Sequence, residues 1–471
     1  MAERVASQGV TFLVLLLLAR LLGPKAYGLV TLAATIALFG QMLLGETFSQ
    51  ALIQEKAIEQ EHSSSVFWLL AALGAGATLV QFSTAGWLAT VFNQSDVAPI
   101  LRALSPLLLL AALQAVPTAL LRRELNFRAA FAATASGTVL GGAVAVAMAL
   151  GGFGVWSLVA NLLIQNAISV ITIWRRSGFR PSLTFSQPHL SALWAYGRYT
   201  LLLRIAAFAA NQSPRLIVGY LFGPAILGAF SLGLRIIEMI YQLLVLPASN
   251  VIVPLIARIR ENPQRLESAI LGATHMTAVL AAAVYITLAV TAPLVVPLLF
   301  GAHWLASVRL VQILCFYGVI VSCGQIWQSV LGGLGRPDIA LRATTAAAIA
   351  NIGALLLSTH WGPVAAAGAF VFRGYVTLPF MPLVIARLTH VPAGRQYAVF
   401  LPIAVAAVLM AAAEQALMSG LAHRLGPPLL LAVTLPAGAL AYCATLYALD
   451  RPALQKGLSI FRHLQPQRAS T

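Results

Sequence analysis

The sequence predicts an all-α integral membrane protein of about fourteen transmembrane helices, and composition and hydropathy patterning are the evidence. Of the 471 residues, 60% are hydrophobic and only 9% are charged, whereas soluble proteins carry roughly 25% charged residues. Apolar runs of about 20 residues, enough to cross the hydrocarbon core, follow one another with short breaks. Because backbone polar groups in lipid must be bonded within the segment, these runs are expected to be helices.

The apolar runs divide into spans that are separated by short loops. The predicted spans are 5–22, 27–53, 65–92, 99–120, 130–150, 153–174, 193–222, 225–250, 269–300, 307–331, 341–358, 364–386, 397–418 and 428–449. The first run is expected to be a retained span and not a signal peptide, because only Arg4 precedes it and no A-x-A cleavage site follows it.

The distribution of basic residues predicts that both termini are cytoplasmic. With the N-terminus inside, only Lys25, Arg309 and Arg424 fall in outer loops, and most other Lys and Arg residues fall on the cytoplasmic side. Such an excess is the general orientation signal of membrane proteins. The net charge of +16 is therefore attributed to membrane orientation and not to nucleic-acid binding.

Two short motifs predict an internal repeat. Gly23, Pro24 and Gly28 form a G-P-x-x-x-G motif, and Gly223, Pro224 and Gly228 form a second one, each at an outer hairpin. Gly-Pro hairpins also recur by chance, but these two lie six predicted spans apart. We expect two parallel six-helix lobes at 1–174 and 193–386, a cytoplasmic linker at 175–192, two additional helices at 387–449 and a basic cytoplasmic tail at 450–471. Parallel repeats are typical of secondary transporters, whose substrate site lies between the lobes.

No motif indicates an enzyme. The three cysteines lie in apolar runs and form neither a disulfide framework nor a metal pattern. There is no Walker loop and no nucleophile elbow, and no long outer loop carries paired acids. No catalytic residue, metal or cofactor is predicted, and the chain is expected not to be an enzyme.

Arginines within the predicted spans indicate a cationic cavity. Arg204 and Arg215 lie close to three helical turns apart and therefore share a face. Asn211 and Gln212 lie just before Arg215, and no acid lies in that span. Such a face suits a cavity for anions, because Arg binds phosphate oxygens bidentately. Arg20 and Arg373 are further candidates for the same cavity. Arg20 could instead anchor at the membrane interface.

The acidic residues within the spans have two interpretations each. Arg235 and Glu238 are three positions apart on one helix and can pair, either as a buried packing contact or with a functional role. Glu46 and Glu414 are lone acids, which could carry a proton or pair with a cavity arginine. Glu238 and Glu46 are the proton-coupling or ion-pair candidates, whereas Glu414 is expected to serve packing.

Several segments, in order from the first predicted span to the eleventh, resemble one bacterial family. The segments are 18–28, 50–54, 120–127, 152–156, 227–238 and 334–337. They are similar to Wzx-type polysaccharide transporters of the multidrug/oligosaccharidyl-lipid/polysaccharide exporter superfamily, nearest to the colanic-acid-exporter-like branch. The chain departs from the family's pattern at Ser213-Pro214-Arg215, where the family usually carries an acidic residue, and its N-terminus is shorter than usual.

The resemblance implies a flippase of the bacterial cytoplasmic (inner) membrane. Its substrate would be undecaprenyl-pyrophosphate-linked oligosaccharide, moved by alternating access for exopolysaccharide, capsule or lipopolysaccharide O-antigen synthesis. Polymerase and export components of the same pathway would be partners, and nucleic acid would not. The hypothesis is that Arg204 and Arg215 hold the pyrophosphate, with Arg235 positioned by Glu238.

Three alternatives stay open. A lipid II flippase would handle a similar lipid. A cation-coupled multidrug antiporter of the same superfamily would prefer acids to arginines in its cavity. A membrane polymerase or ligase acting on the same lipid would need a longer outer loop than this sequence has.

Overall fold

Helices make up almost all of the described chain, as the hydropathy pattern predicts. The computed structural model describes residues 2–54, 60–124, 126–182 and 187–451, with side chains described except at 2–7, 45–54, 62, 127 and 187–203. No strand occurs within these ranges. The all-α prediction is therefore confirmed for the part of the chain that is described.

The helix boundaries follow the apolar runs. In chain order the helices are α1 (Ala2–Gln54), α2 (Gln60–Val91), α3 (Val97–Leu104), α4 (Pro106–Arg123), α5 (Phe127–Leu150), α6 (Val155–Ser177), α7 (Gln187–Ile259), α8 (Pro263–Phe300), α9 (Val308–Gly333), α10 (Pro337–Ser358), α11 (Gly362–Thr377), α12 (Phe380–Thr389), α13 (Ala393–Ala398), α14 (Phe400–Leu421) and α15 (Pro427–Leu449). Short 3₁₀ turns at Ala302–Ser307 and Thr359–Trp361 precede α9 and α11.

Within the described residues, 11 helical stretches are long and apolar enough to cross a membrane. Three of them, Gln8–Leu44, Arg204–Ile259 and Pro337–Thr389, contain 37, 56 and 53 residues. At 1.5 Å per residue, the shortest of these three stretches would be about 55 Å long if it were straight. This length is well beyond a hydrocarbon core of about 30 Å. Each of the three covers two of the predicted spans. The count of fourteen spans is not established by these stretches and stays a prediction.

Glycine divides α1 and α7 at equivalent points. Gly23 has φ 74° and ψ 174°, and Gly223 has φ 78° and ψ 179°. Glycine adopts this positive-φ conformation without a Cβ clash, and the proline that follows each glycine suits the first turn of a helix. Thus the two G-P-x-x-x-G motifs have the same backbone conformation, and each long helix is two helices joined at its glycine.

The chain forms two compact units, Met1–Ser231 and Leu232–Thr471. In the first unit α4 contacts α1, α2 and α6. Its small residues Ala112 and Ala115 pack with Val66, Phe67 and Leu70 of α2. Small side chains on α4 let the neighbouring helices approach closely, so α4 packs against three helices of this unit.

In the second unit α8 contacts α9, α14 and α15. Its buried core includes Ile270 of α8, Trp327 of α9 and Met410 of α14. The Tyr442 hydroxyl of α15 donates to the carbonyl oxygen of Val279 at 2.9 Å. The two C-terminal helices, expected as additions, are thus part of the core of this unit.

The predicted domain boundaries stay predictions. The division after Ser231 does not fall at the expected linker, 175–192, where α6 ends at Ser177 and α7 begins at Gln187. Residues 183–186 of that linker, and all but the first two residues of the expected tail, lie outside the described part of the chain.

Candidate functional site

The predicted polar face of α7 lies in the first unit. The helix continues through Pro214, since Gly223 is its only residue with non-helical φ and ψ, so Arg204 and Arg215 share one face. Arg215 donates from Nη1 to Gln212 Oε1 at 2.7 Å. Both side chains are half-buried. Gln212 therefore orients a partly accessible guanidinium within an apolar helix.

The other predicted residues of this face differ in exposure. Arg204 is half-buried, whereas Asn211 is exposed. The Asn211 amide donates to the carbonyl oxygen of Ala207 at 2.9 Å, one turn earlier on the same helix. Arg20, in α1, is exposed and follows the buried residues Leu18 and Ala19. All of these residues belong to the first unit.

The two Gly-Pro motifs contact each other within the first unit. A Cβ added to Gly28 would overlap the carbonyl oxygen of Pro224 and lie 2.6 Å from its carbonyl carbon. A Cβ added to Gly228 would overlap the carbonyl oxygen of Pro24 and lie 2.8 Å from its carbonyl carbon. The contact is thus reciprocal and backbone to backbone. Both motifs can be read from the sequence, but nothing in the sequence indicates that they contact each other.

From this contact α1 and the first part of α7 run side by side in opposite directions. Leu32 Cδ1 lies 3.2 Å from the position of a Cβ on Gly219, and the rings of Phe39 and Phe208 have centroids 5.0 Å apart. Residues later in α1 thus contact residues earlier in α7, so the two helices are antiparallel. Arg215 consequently lies at a level between these two contacts, beside the second part of α1.

The second unit holds the remaining predicted cations. Arg235 Nη1 lies 3.6 Å from Glu238 Oε2, and their side chains are 36% and 39% exposed. The pair is formed as the spacing predicts, and the choice between a packing contact and a functional role stays a prediction. Arg373 is half-buried; it donates from Nη1 to the Ala347 carbonyl at 3.5 Å, and its guanidinium carbon lies 5.9 Å from the Phe370 ring centroid.

The predicted site residues are therefore divided between the units. Arg20, Arg204, Asn211, Gln212 and Arg215 belong to the first, and Arg235, Glu238 and Arg373 to the second. A single cationic cavity that draws on both sets stays a prediction. The side chain of Glu46 lies outside the described residues.

Glu414 is the acid that the sequence analysis assigned to packing, and the structure buries it completely. Its Oε1 accepts a hydrogen bond from the Thr287 hydroxyl at 2.9 Å. The two residues are 127 positions apart, so no local pattern indicated the partner. Among the described residues no group of three or more His, Cys, Asp or Glu is placed to hold a metal ion.

The helical fold and its apolar stretches define a multi-span membrane protein. A family model described as "Polysaccharide biosynthesis protein" matches residues 17–309, and the chain belongs to this family. It is 27% identical over 470 residues to the succinoglycan biosynthesis transport protein ExoT of Rhizobium meliloti (strain 1021), covering 99% of this chain and 95% of that protein. It is 22% identical to the lipopolysaccharide biosynthesis protein WzxC of Escherichia coli (strain K12), covering 69% and 66% of the two chains.

Solved structures of low sequence identity share the fold. A lipid II flippase, MurJ, in an inward closed conformation superposes with a TM-score of 0.77 at 14% identity, covering 96% of this chain and 99% of that one. An inward-facing multidrug-resistance transporter of the MATE family superposes with a TM-score of 0.66 at 17% identity, covering 81% and 96%. At such identities these likenesses describe the fold alone.

Proposed function

We propose that this chain is a flippase that moves undecaprenyl-pyrophosphate-linked oligosaccharide repeat units across the bacterial cytoplasmic membrane. The product would enter a surface polysaccharide such as exopolysaccharide, capsule or O-antigen. The observation that carries the proposal is the similarity to a succinoglycan transport protein along 99% of the chain. The apolar helices of the described residues agree with a protein that works within the bilayer.

The proposed chemistry is recognition of the pyrophosphate by arginine. Arg215 and Arg204 share a face of α7, and Gln212 orients the Arg215 guanidinium. An arginine fork binds phosphate oxygens bidentately through charge-assisted hydrogen bonds. Arg20, Arg235 and Arg373 are further candidates for the same anion, and Glu238 is the candidate that positions Arg235. The sugars would cross in the polar cavity while the polyprenyl chain stays in lipid.

The membrane potential would favour outward movement of such an anion. Moving one elementary charge across the membrane is worth about 2.3 kcal/mol per 100 mV. Outward movement of a pyrophosphate is favoured when the inside is negative, so no coupling ion is strictly required for the direction of transport.

The proposed topology has fourteen spans in two parallel lobes with two additional helices, and both termini are cytoplasmic. Each of the three longest helical stretches would then cross twice, reversing at Gly23, at Gly223 and before Gly362, which has φ 87°. A single cysteine placed at Lys25 should react with an impermeant thiol reagent added to intact cells, whereas one at Arg258 should react only after the membrane is opened. Reaction of both in intact cells would contradict this topology.

Alternating access gives the reciprocal Gly28–Gly228 contact a role in the proposal. In the described conformation the two Gly-Pro turns are so close that neither Gly28 nor Gly228 has room for a Cβ. If these turns lie at the outer membrane face, their contact closes that face, and it must separate when the substrate leaves. The glycines would then permit the closure because any side chain at either position would hold the turns apart.

The function is tested in a strain that lacks the gene. We expect lipid-linked repeat units to accumulate on the cytoplasmic face while the surface polysaccharide disappears. Normal delivery of lipid-linked units to the outer face would contradict the proposal.

Two alternatives have their own readouts in that strain. A lipid II flippase, which would share its fold with MurJ, would make the gene essential, so no deletion strain would grow and depletion of the protein would cause lipid II to accumulate. A cation-coupled antiporter, favoured by the MATE-type fold, would leave polysaccharide intact and change drug sensitivity.

A further inference from the structure

Glu414 occupies a closed position among α8, α14 and α15 of the second unit. Its side chain is 0% exposed. The Thr287 hydroxyl donates to Oε1 at 2.9 Å and lies 3.5 Å from the sulfur of Met410. Oε2 is buried and has no hydrogen-bond partner among the described residues. The carboxyl group is therefore only half satisfied in an apolar packing.

A glycine on α15 makes the space that the carboxyl group occupies. A Cβ added to Gly438 would overlap Glu414 Oε1 and lie 2.6 Å from its Cγ and 2.7 Å from its Cδ. A side chain at 438 would consequently expel the acid. The carboxyl group is thus a fitted component of this helix packing and not a side chain that escapes to the surface.

Most of the titratable and charged groups on the helices around α14 contact partners other than Glu414. Glu267 of α8 pairs with Arg395 of α13 at 2.6 Å, and His275 of α8 lies 2.7 Å from Asp450, which follows α15. Tyr285 of α8 donates to the carbonyl group of Ile237. Tyr442 of α15 donates to that of Val279, and Tyr397 of α13 to that of Pro379. The others are Arg265, Cys443 and Tyr447 on these helices and His423 and Arg424 after α14.

None of these groups neutralises Glu414 by a direct contact. In the described part of the chain no basic side chain forms an ion pair with it. An ionised carboxylate that is buried without a cation is costly, and a single hydroxyl donor does not offset that cost. The protonated, neutral form is therefore the form compatible with this packing.

A cavity of about 380 Å³ lies among α8, α9 and α14, beside the chain neighbours of Thr287 and Glu414. Its walls include Ile286 and Val290 of α8, Gln312 of α9, and Ala411 and Gln415 of α14. Ile286 and Gln415 are the chain neighbours of Thr287 and Glu414. The cavity has room for water molecules, which need polar partners such as Gln312 and Gln415. Glu414 and Thr287 do not line this cavity, so water from it reaches Oε2 only if α14 moves.

We propose that Glu414 is a proton-binding site, occupied in this conformation, that must release and rebind its proton during transport. The inference rests on the proposed function. Release toward the cavity would give Oε2 the water contact that it lacks in the packed state. Rebinding would allow α14 and α15 to pack against α8 again. The proposed ligand is a proton, since no group of three or more His, Cys, Asp or Glu side chains in the described residues is placed to hold a metal ion.

The protonation state is measured first, without reference to transport. Infrared spectra of the purified protein in lipid are recorded over a pH series for the wild type and for Glu414→Gln. We expect a protonated-carboxyl C=O band at neutral pH that is absent from the variant and disappears from the wild type at alkaline pH. Absence of the band at neutral pH, or its persistence at every pH, would overturn the proposal.

Transport by the same variant tests the requirement for release. Gln has nearly the shape of Glu and keeps an acceptor for the Thr287 hydroxyl, but it cannot release a proton. Glu414→Gln should keep normal abundance and thermal stability and lose lipid transport at all pH values. Glu267→Gln, the same substitution at a residue paired with Arg395, should retain transport. Normal transport by Glu414→Gln would overturn the proposal.

Two glycine-to-alanine variants distinguish an effect on Glu414 from a general effect on helix packing. Gly438→Ala displaces the carboxyl group and should remove the infrared band, whereas Gly420→Ala, with nothing within 4 Å of the added Cβ, should retain it. The outcomes also distinguish this inference from the proposed function. A wild-type chain that shows the band but moves no lipid would contradict the function, and a chain that moves lipid without the band would contradict the proton site.

Discussion

Arg215 in α7 and Glu414 in α14 are both charged-residue types within apolar helices, but they differ in accessibility. Arg215 is half-buried and hydrogen-bonded to Gln212 on its own helix. Glu414 is fully buried between three helices and hydrogen-bonded to Thr287. A partly accessible cation can meet a ligand as large as a lipid headgroup, whereas a sealed carboxyl group can exchange only a proton. The difference in accessibility therefore supports the proposals of ligand binding for Arg215 and protonation for Glu414.

The largest effect is expected from removing the accessible cation. Arg215→Ala should lower transport on the order of 10–100-fold at normal protein abundance, because a hydrogen bond to a charged group is worth about 1.5–3 kcal/mol. Arg215→Lys keeps the charge but loses the bidentate fork, and should retain part of the activity. The measurement is transport of polyprenyl-linked oligosaccharide by the variants in a deletion strain.

The matched control is Arg102→Ala. Arg102 is an exposed arginine at the end of α3 in the same unit, and its guanidinium carbon lies 5.9 Å from the Phe82 ring centroid. Transport should be near normal in this variant, since Arg102 is expected to anchor the span end at the membrane interface. Equal loss in both variants would remove the special role of the α7 face.

A second large effect is expected where α1 and α7 meet. Gly28→Ala or Gly228→Ala forces a Cβ against a backbone carbonyl of the other turn, and overpacking typically costs about 1–3 kcal/mol. Thermal stability of the purified protein should fall for each variant. The double variant should lose less than the sum of the two, since once one side chain separates the turns the second meets little resistance.

Gly76→Ala in α2 is the control for these glycines. Nothing lies within 4 Å of the added Cβ, and alanine is the better helix former, so stability should be unchanged or slightly raised. Additive losses at Gly28 and Gly228 would show that the two turns are not in contact in the membrane.

The smallest effect is expected for the exposed pair of α7. Glu238→Gln removes the partner of Arg235, whose side chain is 36% exposed. Exposed ion pairs contribute about 0–1 kcal/mol, so the melting temperature should hardly change. Transport should fall only moderately if Glu238 positions Arg235 for the substrate. A severe loss of stability would instead indicate that the pair carries a packing role despite its exposure.

Hydropathy, charge and local spacing predicted much of this molecule. Lipid requires helices with apolar surfaces, and this requirement is visible in the sequence as long apolar runs. The i, i+3 spacing of Arg235 and Glu238 predicted their pairing, and it is formed at 3.6 Å. The Gly-Pro motifs predicted turns, and Gly23 and Gly223 have nearly the same φ and ψ.

The contacts between distant segments could not be predicted in the same way. The meeting of Gly28 with Pro224, and of Glu414 with Thr287 and Gly438, depends on how helices pack. Apolar helices in lipid show no amphipathic pattern that distinguishes a packed face from a lipid-facing one. Glu414 was therefore recognised as a lone acid and assigned to packing. Its unpartnered Oε2 and the glycine that accommodates it are visible only in three dimensions.

The central proposal is that the accessible face of α7 binds the pyrophosphate of a lipid-linked glycan while the protein moves that lipid across the membrane. The decisive measurement uses purified protein in liposomes with a polyprenyl-pyrophosphate-linked oligosaccharide, and follows the access of an external glycan-cleaving enzyme to the lipid over time. The wild type should make the inner-leaflet lipid accessible, Arg102→Ala should do so equally, and Arg215→Ala should do so much more slowly. Equal accessibility with Arg215→Ala, or no movement with the wild type, would contradict the account.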